Sequence, residues 1–310
     1  MLCYGIVMKN KYYYPSEELL AAFSTIQDFF DAYIPSKKYQ HLLIQNKWIL
    51  LDGKPVNRRT PLKGRLSLRL YADSAVIKPL SHTEPLIQDD FVLYEDAFLL
   101  AVYKQSELLV HDDGNAAITL CDLVARYFYD TGQACAIHPL HRLDYDTSGI
   151  VLFCKSEILQ PLFDQMMTAK AIKREYLAVV EGYWKCRSFI VEKAIAKDRH
   201  SKKRRVSKQG QYAKTTFTTL YCDPNKQYSV MRCQLASGRT HQIRVHCADQ
   251  RHALLGDPLY GKASKRIART ALHADRLSFY HPFLQKQIVI HAALPDDLAQ
   301  FLPKEMRRPR

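Results

Sequence analysis

No Cys-x-x-Cys pair occurs anywhere in the 310 residues, although the chain holds eight cysteines: Cys3, Cys121, Cys135, Cys154, Cys186, Cys222, Cys233 and Cys247. Their scatter indicates neither a zinc site nor a disulfide framework. Those inside apolar runs, such as Cys154, read as buried reduced thiols of a cytoplasmic protein. Long hydrophobic runs are also missing. The opening MLCYGIVMKNKYYYP is too short in apolar residues for a signal peptide, and no segment reaches membrane-spanning length, so no membrane partner is expected. Internal repeats are absent as well. Acidic residues are scarce, with 31 Asp and Glu against 45 Lys and Arg, a formal net charge of +14. A surplus of that size favours a polyanionic partner, and a merely soluble basic protein is the alternative that the location of the charge must decide. Against these shortages, 47% of the residues are hydrophobic, enough for a sizeable core.

The chain divides by pattern into a small domain over 1–85 and a larger one over 86–310. Residues 16–33 place apolar side chains at helical spacing behind Ser16 as a cap, which predicts a helix there. A short helix then leads to strand-like Trp48–Leu51, an Asp52-Gly53 turn, and a basic loop (Arg58, Arg59, Lys63, Arg65) running into the alternating segment Leu66–Tyr71. Residues 72–88, with Pro79 and Pro85, read as a linker. Helices are expected over Thr119–Asp130 and, starting late because of Pro161, within Ser156–Lys170. Strand-like segments at Phe98–Tyr103, Ile150–Cys154, Tyr176–Val180, Thr215–Cys222 and Tyr228–Leu235 do not alternate regularly with helices. That predicts an α+β fold with a mixed, largely antiparallel central sheet and flanking helices.

Three segments carry chemistry. The first is His141-Arg142-Leu143-Asp144-Tyr145-Asp146-Thr147-Ser148-Gly149, a polar turn feeding the apolar run that starts at Ile150. A carboxylate on such a loop beside a core strand is placed to react. The same letters match the DxDxT pattern of haloacid-dehalogenase-type phosphotransferases, but there an apolar strand precedes the first Asp. Here the preceding residues are polar and broken by Pro139. The second segment is LASGRTHQIRVH, residues 235–246. A Gly turn with Thr240 as helix cap would put His241 and Arg244 on one face, where Arg244 could grip a buried carboxylate at two points. A capped helix with both side chains in solvent is the other reading. His241 and His246 are five apart and point to different helix faces, so no metal is expected. The third segment is Lys173-Arg174-Glu175-Tyr176, basic residues ahead of an aromatic at the mouth of a strand, suited to core packing or to stacking on a base.

HRLDYDTSG, KREY-LAVVEG, LASGRTHQIRVH with LLGDPLYG, and Leu272-His273-Ala274 through His281-Pro282 follow the order of the RluA-type RNA pseudouridine synthases, which the chain resembles over essentially all of 90–295. The resemblance implies that Asp144 is the catalytic carboxylate, that Tyr176 lies against the uracil, and that Arg244 pairs with Asp144. Arg142 would contact RNA and help displace the target nucleotide. Lys173, Arg174, Arg239 and His241 would line the RNA path. Leu152 and Ile243 match hydrophobic positions of the family. One departure is Lys104-Gln105-Ser106-Glu107-Leu108, which lacks the family's Pro and Gly. The N-terminal domain resembles a degenerate S4 RNA-binding module, an ordinary α+β cap being the alternative. Since all four motifs follow residue 90, a chain beginning near Asp89 is expected to fold by itself.

Uridine isomerisation breaks the C1′–N1 bond and rejoins the base through C5, so it requires one carboxylate and no cofactor or metal. The uridine must leave its stack. Residues 197–214 hold eight Lys or Arg and a single acid, and Lys202, Lys203, Arg204 and Arg205 would grip phosphates. The expected partner is rRNA or tRNA, the expected state a monomer. A non-catalytic RNA-binding protein on the same fold would have lost Asp144 or Arg244, and neither is lost. A glycosidase would need two carboxylates across the scissile bond, and only Asp146 stands near.

Overall fold

The computed structural model describes residues 12–70, 90–114, 118–184, 187–199, 201 and 203–307. The expected linker, Lys202, Cys3, Cys186 and the tail beyond Arg307 lie outside the described residues.

The chain begins with β1 (Tyr12–Tyr13), α1 (Glu17–Leu20), α2 (Ile26–Tyr33), α3 (Lys37–Gln45), β2 (Ile49–Leu51), β3 (Lys54–Pro55) and β4 (Leu66–Arg69), whose strands form a sheet in the order β1-β4-β2-β3. Ser16 caps α1 by accepting from the Leu19 amide, but the single helix expected over 16–33 is two. Thr25 and Asp28 close a reciprocal capping box that starts α2 afresh, satisfying amides that a continuous helix would bond elsewhere. Asp52 and Gly53 join β2 to β3 with left-handed φ of 49° and 76°, the twist a two-residue hairpin needs.

The larger part runs β5 (Val92–Glu95), β6 (Leu99–Lys104), α4 (Leu120–Asp130), β7 (His138–Pro139), β8 (Ser148–Cys154), α5 (Gln160–Thr168), β9 (Lys173–Glu181), β10 (Ser188–Glu192), β11 (Ile195–Lys197), β12 (Arg204–Val206), β13 (Lys214–Asp223), β14 (Tyr228–Leu235), α6 (Gln242–Asp249), β15 (Leu272–His281), β16 (Lys286–His291) and α7 (Asp296–Ala299). The ten-stranded central sheet is ordered β10-β13-β14-β9-β15-β8-β6-β5, with β16 and β7 attached to β15 and β8. All its pairings are antiparallel except β8 with β15. Every residue of β8 is buried, as the apolar run after the Asp144 turn predicts. The basic run over 197–214 is built in part as a hairpin, with β11 and β12 in register from Ile195↔Val206 to Lys197↔Arg204. No helix among the described residues is long and apolar enough to cross a membrane.

The N-terminal sheet is fastened to the larger part through aromatic packing. Tyr13 meets Phe98 edge-on with ring centroids 4.9 Å apart, Tyr33 lies 5.1 Å from Phe283, and the Ser156 hydroxyl donates to the Leu70 carbonyl at 2.5 Å. One continuous buried core therefore runs from Tyr13 to Ala292.

Candidate active site

The loop before β8 is held by backbone carbonyls that face buried cations. Lys104, fully buried at the end of β6, donates to the carbonyls of Gln105 and Leu108 and, at 3.0 Å, to that of Tyr145. Burial pulls its ammonium down to about 7, against the opposing charges of Asp144 and Asp146. Arg269, paired at two points with Asp297, donates to the Asp146 carbonyl at 3.2 Å. The segment that lacks the family's Pro and Gly still makes the turn, because Glu107 adopts a left-handed φ of 62° and its amide donates to the Tyr145 carbonyl at 2.9 Å. Gly149 closes the loop, with φ 117°, where β8 approaches β15.

This scaffold presents Asp144 into a cleft of about 560 Å³, open mouth included. Arg142, Arg174, Tyr176, Arg239, His241 and Arg244 share its lining. The Asp144 side chain is 19% exposed. Its Oδ2 faces Arg244 Nη1 at 3.4 Å and His241 Nε2 at 3.9 Å. Among the described residues no hydrogen bond reaches Oδ1. Tyr176 is buried at the start of β9, and desolvation pushes its phenol pKa up, so it offers a neutral ring.

Arg244 departs from the sequence reading. Its two-point partner is Asp257, at 2.8 Å from both Nε and Nη2, and Asp144 receives only the remaining Nη1. Asp257 is fully buried and also accepts from the amides of Leu259 and Tyr260. Burial works against its charge, but the Arg244 guanidinium more than offsets this and holds the carboxyl below its ordinary range. A buried acid in the Gly-Asp-Pro turn of LLGDPLYG was the available signal for this partner. Thr240 is not the cap of α6 either. His241 occupies that position in the left-handed region, φ 58°, with no side-chain cap. The turn therefore swings the imidazole toward the cleft instead of along the helix.

The remaining predicted residues spread outward. Lys173 is exposed at the start of β9 and does not line the cleft. Lys203 and Arg205 are exposed on the β11–β12 hairpin, and Arg204 lines a second cleft with Lys197, Gln211, Arg239 and Thr240. Arg239 and Thr240 belong to both clefts, so the basic hairpin adjoins the Asp144 site.

The family model for RNA pseudouridylate synthase matches residues 99–249. A Bacillus subtilis protein described as the uncharacterized RNA pseudouridine synthase YhcT is 38% identical over 210 residues, 67% of this chain and 69% of that protein. Ribosomal large subunit pseudouridine synthase D of Xanthomonas campestris is 32% identical over 285 residues, 83% of this chain and 82% of its own. The chain belongs to the RluA-type RNA pseudouridine synthases. The solved structure of human RNA Pseudouridylate Synthase Domain Containing 4 shares the fold, with a TM-score of 0.56 at 19% identity over 67% of this chain and 90% of that one. In this pseudouridine synthase the matched segment contains Asp144, Tyr176 and Arg244, while Asp257 and Tyr260, which hold the site from behind, follow it.

Proposed function

We propose that this enzyme converts a uridine of structured ribosomal or transfer RNA to pseudouridine with Asp144 as the reacting carboxylate. The observation that carries the reading is the asymmetry of Asp144 on the cleft lining, one oxygen held by Arg244 and the other without a hydrogen bond among the described residues. The isomerisation balances within the substrate: C1′–N1 breaks, C1′–C5 forms, C5 loses a proton and N1 gains one. Asp144 attacks C1′ or takes the C2′ proton, Tyr176 lies against the uracil, and Arg244 orients the carboxylate through one oxygen. Arg142, exposed at the rim, fills space vacated by the flipped nucleotide. The exposed cations of the hairpin and the +14 formal charge support phosphate contacts there. Relatives described as ribosomal large subunit pseudouridine synthases favour ribosomal RNA as substrate. The six free cysteines among the described residues support a reducing cytoplasmic location, and the monomer and the S4-like role of residues 1–85 belong to the same proposal.

Asp144→Asn is expected to abolish tritium release from 5-tritiated uridine in RNA while binding stays within about threefold, since only the reacting charge is removed. Turnover by the Asn variant would remove Asp144 from the reaction. Mapping pseudouridines in cells with and without the gene identifies the RNA.

A further inference from the structure

Tyr260 stands between the basic hairpin and the reacting carboxylate. Its hydroxyl accepts the Arg204 amide at 2.7 Å, on β12, and lies 2.9 Å from His241 Nδ1. That hydroxyl can donate its one hydrogen to Nδ1 or accept from it, and the carboxylate on the other side of the ring favours the tautomer with the proton on Nε2. Nε2 is the atom that faces Asp144 Oδ2 at 3.9 Å. The gap is too long for a hydrogen bond and leaves room for a ribose hydroxyl or a water to bridge. Burial holds His241 below its ordinary pKa, in keeping with a neutral N–H donor. The Tyr260 ring also lies 5.3 Å under the Arg244 guanidinium, and its amide donates to Asp257. One side chain thus touches the hairpin, the histidine and the arginine.

We propose that Tyr260 is a positioning residue that transmits the seating of the β11–β12 hairpin on an RNA backbone to the reacting centre, by holding His241 as an N–H donor toward Asp144. The proposal rests on the reading of Asp144 as the reacting carboxylate. An RNA strand that pulls on the hairpin moves the Arg204 amide, and with it the tyrosine hydroxyl that fixes the imidazole. Full rate then requires an engaged hairpin as well as a filled cleft.

Tyr260→Phe keeps the ring and removes the hydroxyl. Single-turnover tritium release at saturating enzyme should fall about tenfold, the worth of one oriented hydrogen bond, while RNA affinity holds within about twofold. The paired substitution Lys203→Ala with Arg205→Ala should weaken both affinity and rate in the parent enzyme, but affinity alone in the Tyr260→Phe background. An unchanged rate in Tyr260→Phe, or the same rate loss from the hairpin substitutions in both backgrounds, overturns the relay. His241→Gln and His241→Asn decide independently of how well the Phe variant folds. Glutamine carries an N–H to the Nε2 position and asparagine does not, so Gln should retain more rate, and equal impairment overturns the donor role. Turnover by Asp144→Asn would instead defeat the underlying reading of the site.

Discussion

Arg244 divides its guanidinium between two carboxylates that differ in setting. Asp257 is enclosed and held at two points, whereas Asp144 is at the cleft and held at one. Truncating the arginine therefore harms the fold chiefly through Asp257, left as a buried charge without a partner. Arg244→Ala and Asp257→Asn should each cost about 3 kcal/mol in chemical denaturation, the usual scale for stripping one side of a buried pair. Both should slow tritium release, since the guanidinium that orients Asp144 loses its own anchor. Arg244→Lys should recover little of either, because an ammonium cannot span both oxygens of Asp257 while also reaching Asp144. A fully stable and active Asp257→Asn enzyme would show that the two-point grip is dispensable.

Among the elements, β8 and β15 decide where the loop sits. They pair in parallel only at His273↔Ser148 and Ala274↔Gly149, and a Cβ at Gly149 would fall 2.3 Å from the Ala274 carbonyl oxygen. The φ of 117° is itself strained for any side chain. Gly149→Ala should therefore cost about 3 kcal/mol and displace the Asp144 turn, so that stability and turnover fall together. Retained turnover with lowered stability would mean that the turn is held by Lys104 and Arg269 without help from the strand pairing. The glycine of the TSG motif is legible in the sequence as a turn signal. Its partner Ala274 lies 125 residues away and is not.

At the scale of the molecule, the N-terminal sheet and the catalytic part share one core. Phe98 is fully buried and Phe283 nearly so, each with Tyr13 against it. A chain beginning near Asp89 would bare these rings, contrary to the expectation that it folds unaided, and should be insoluble or bind a hydrophobic dye. A soluble fragment with a sharp thermal transition would show that the contact is dispensable. Acid stability is a second property of the shared core. Burial holds His141 down to about 3 and His273 down to about 4, so both stay neutral in the fold while the unfolded chain takes up their protons below pH 6.5. Their contribution is complete above that pH and is lost as pH falls toward the folded values. Their share of the unfolding free energy should drop by about 2.4 kcal/mol between roughly pH 6 and 5, nearly two protons' worth, on top of whatever His241 and His246, also lowered, contribute. His273→Gln should lower the slope of stability against pH by about 1.2 kcal/mol per pH unit in denaturation curves, and an unchanged slope would mean that the proton uptake lies elsewhere.

Local chemistry settled much of this protein before any fold was known. The polar turn around Asp144, the buried strand behind it, the α4 helix, the Pro161 start of α5 and the Asp52-Gly53 hairpin all follow from neighbours a few residues apart, where backbone preference and burial pattern act directly. The break between α1 and α2 was also local, written in Thr25 and Asp28, yet hidden under a continuous apolar stripe. Tertiary structure alone decided which carboxylate Arg244 grips, that His241 leaves the helix face for the cleft, and that Tyr13 joins the core of a distant sheet. Those choices depend on side chains brought together across 13 to 100 residues and more, where the strength of an ion pair or ring contact is set by burial and angle. No pattern along the chain encodes either quantity.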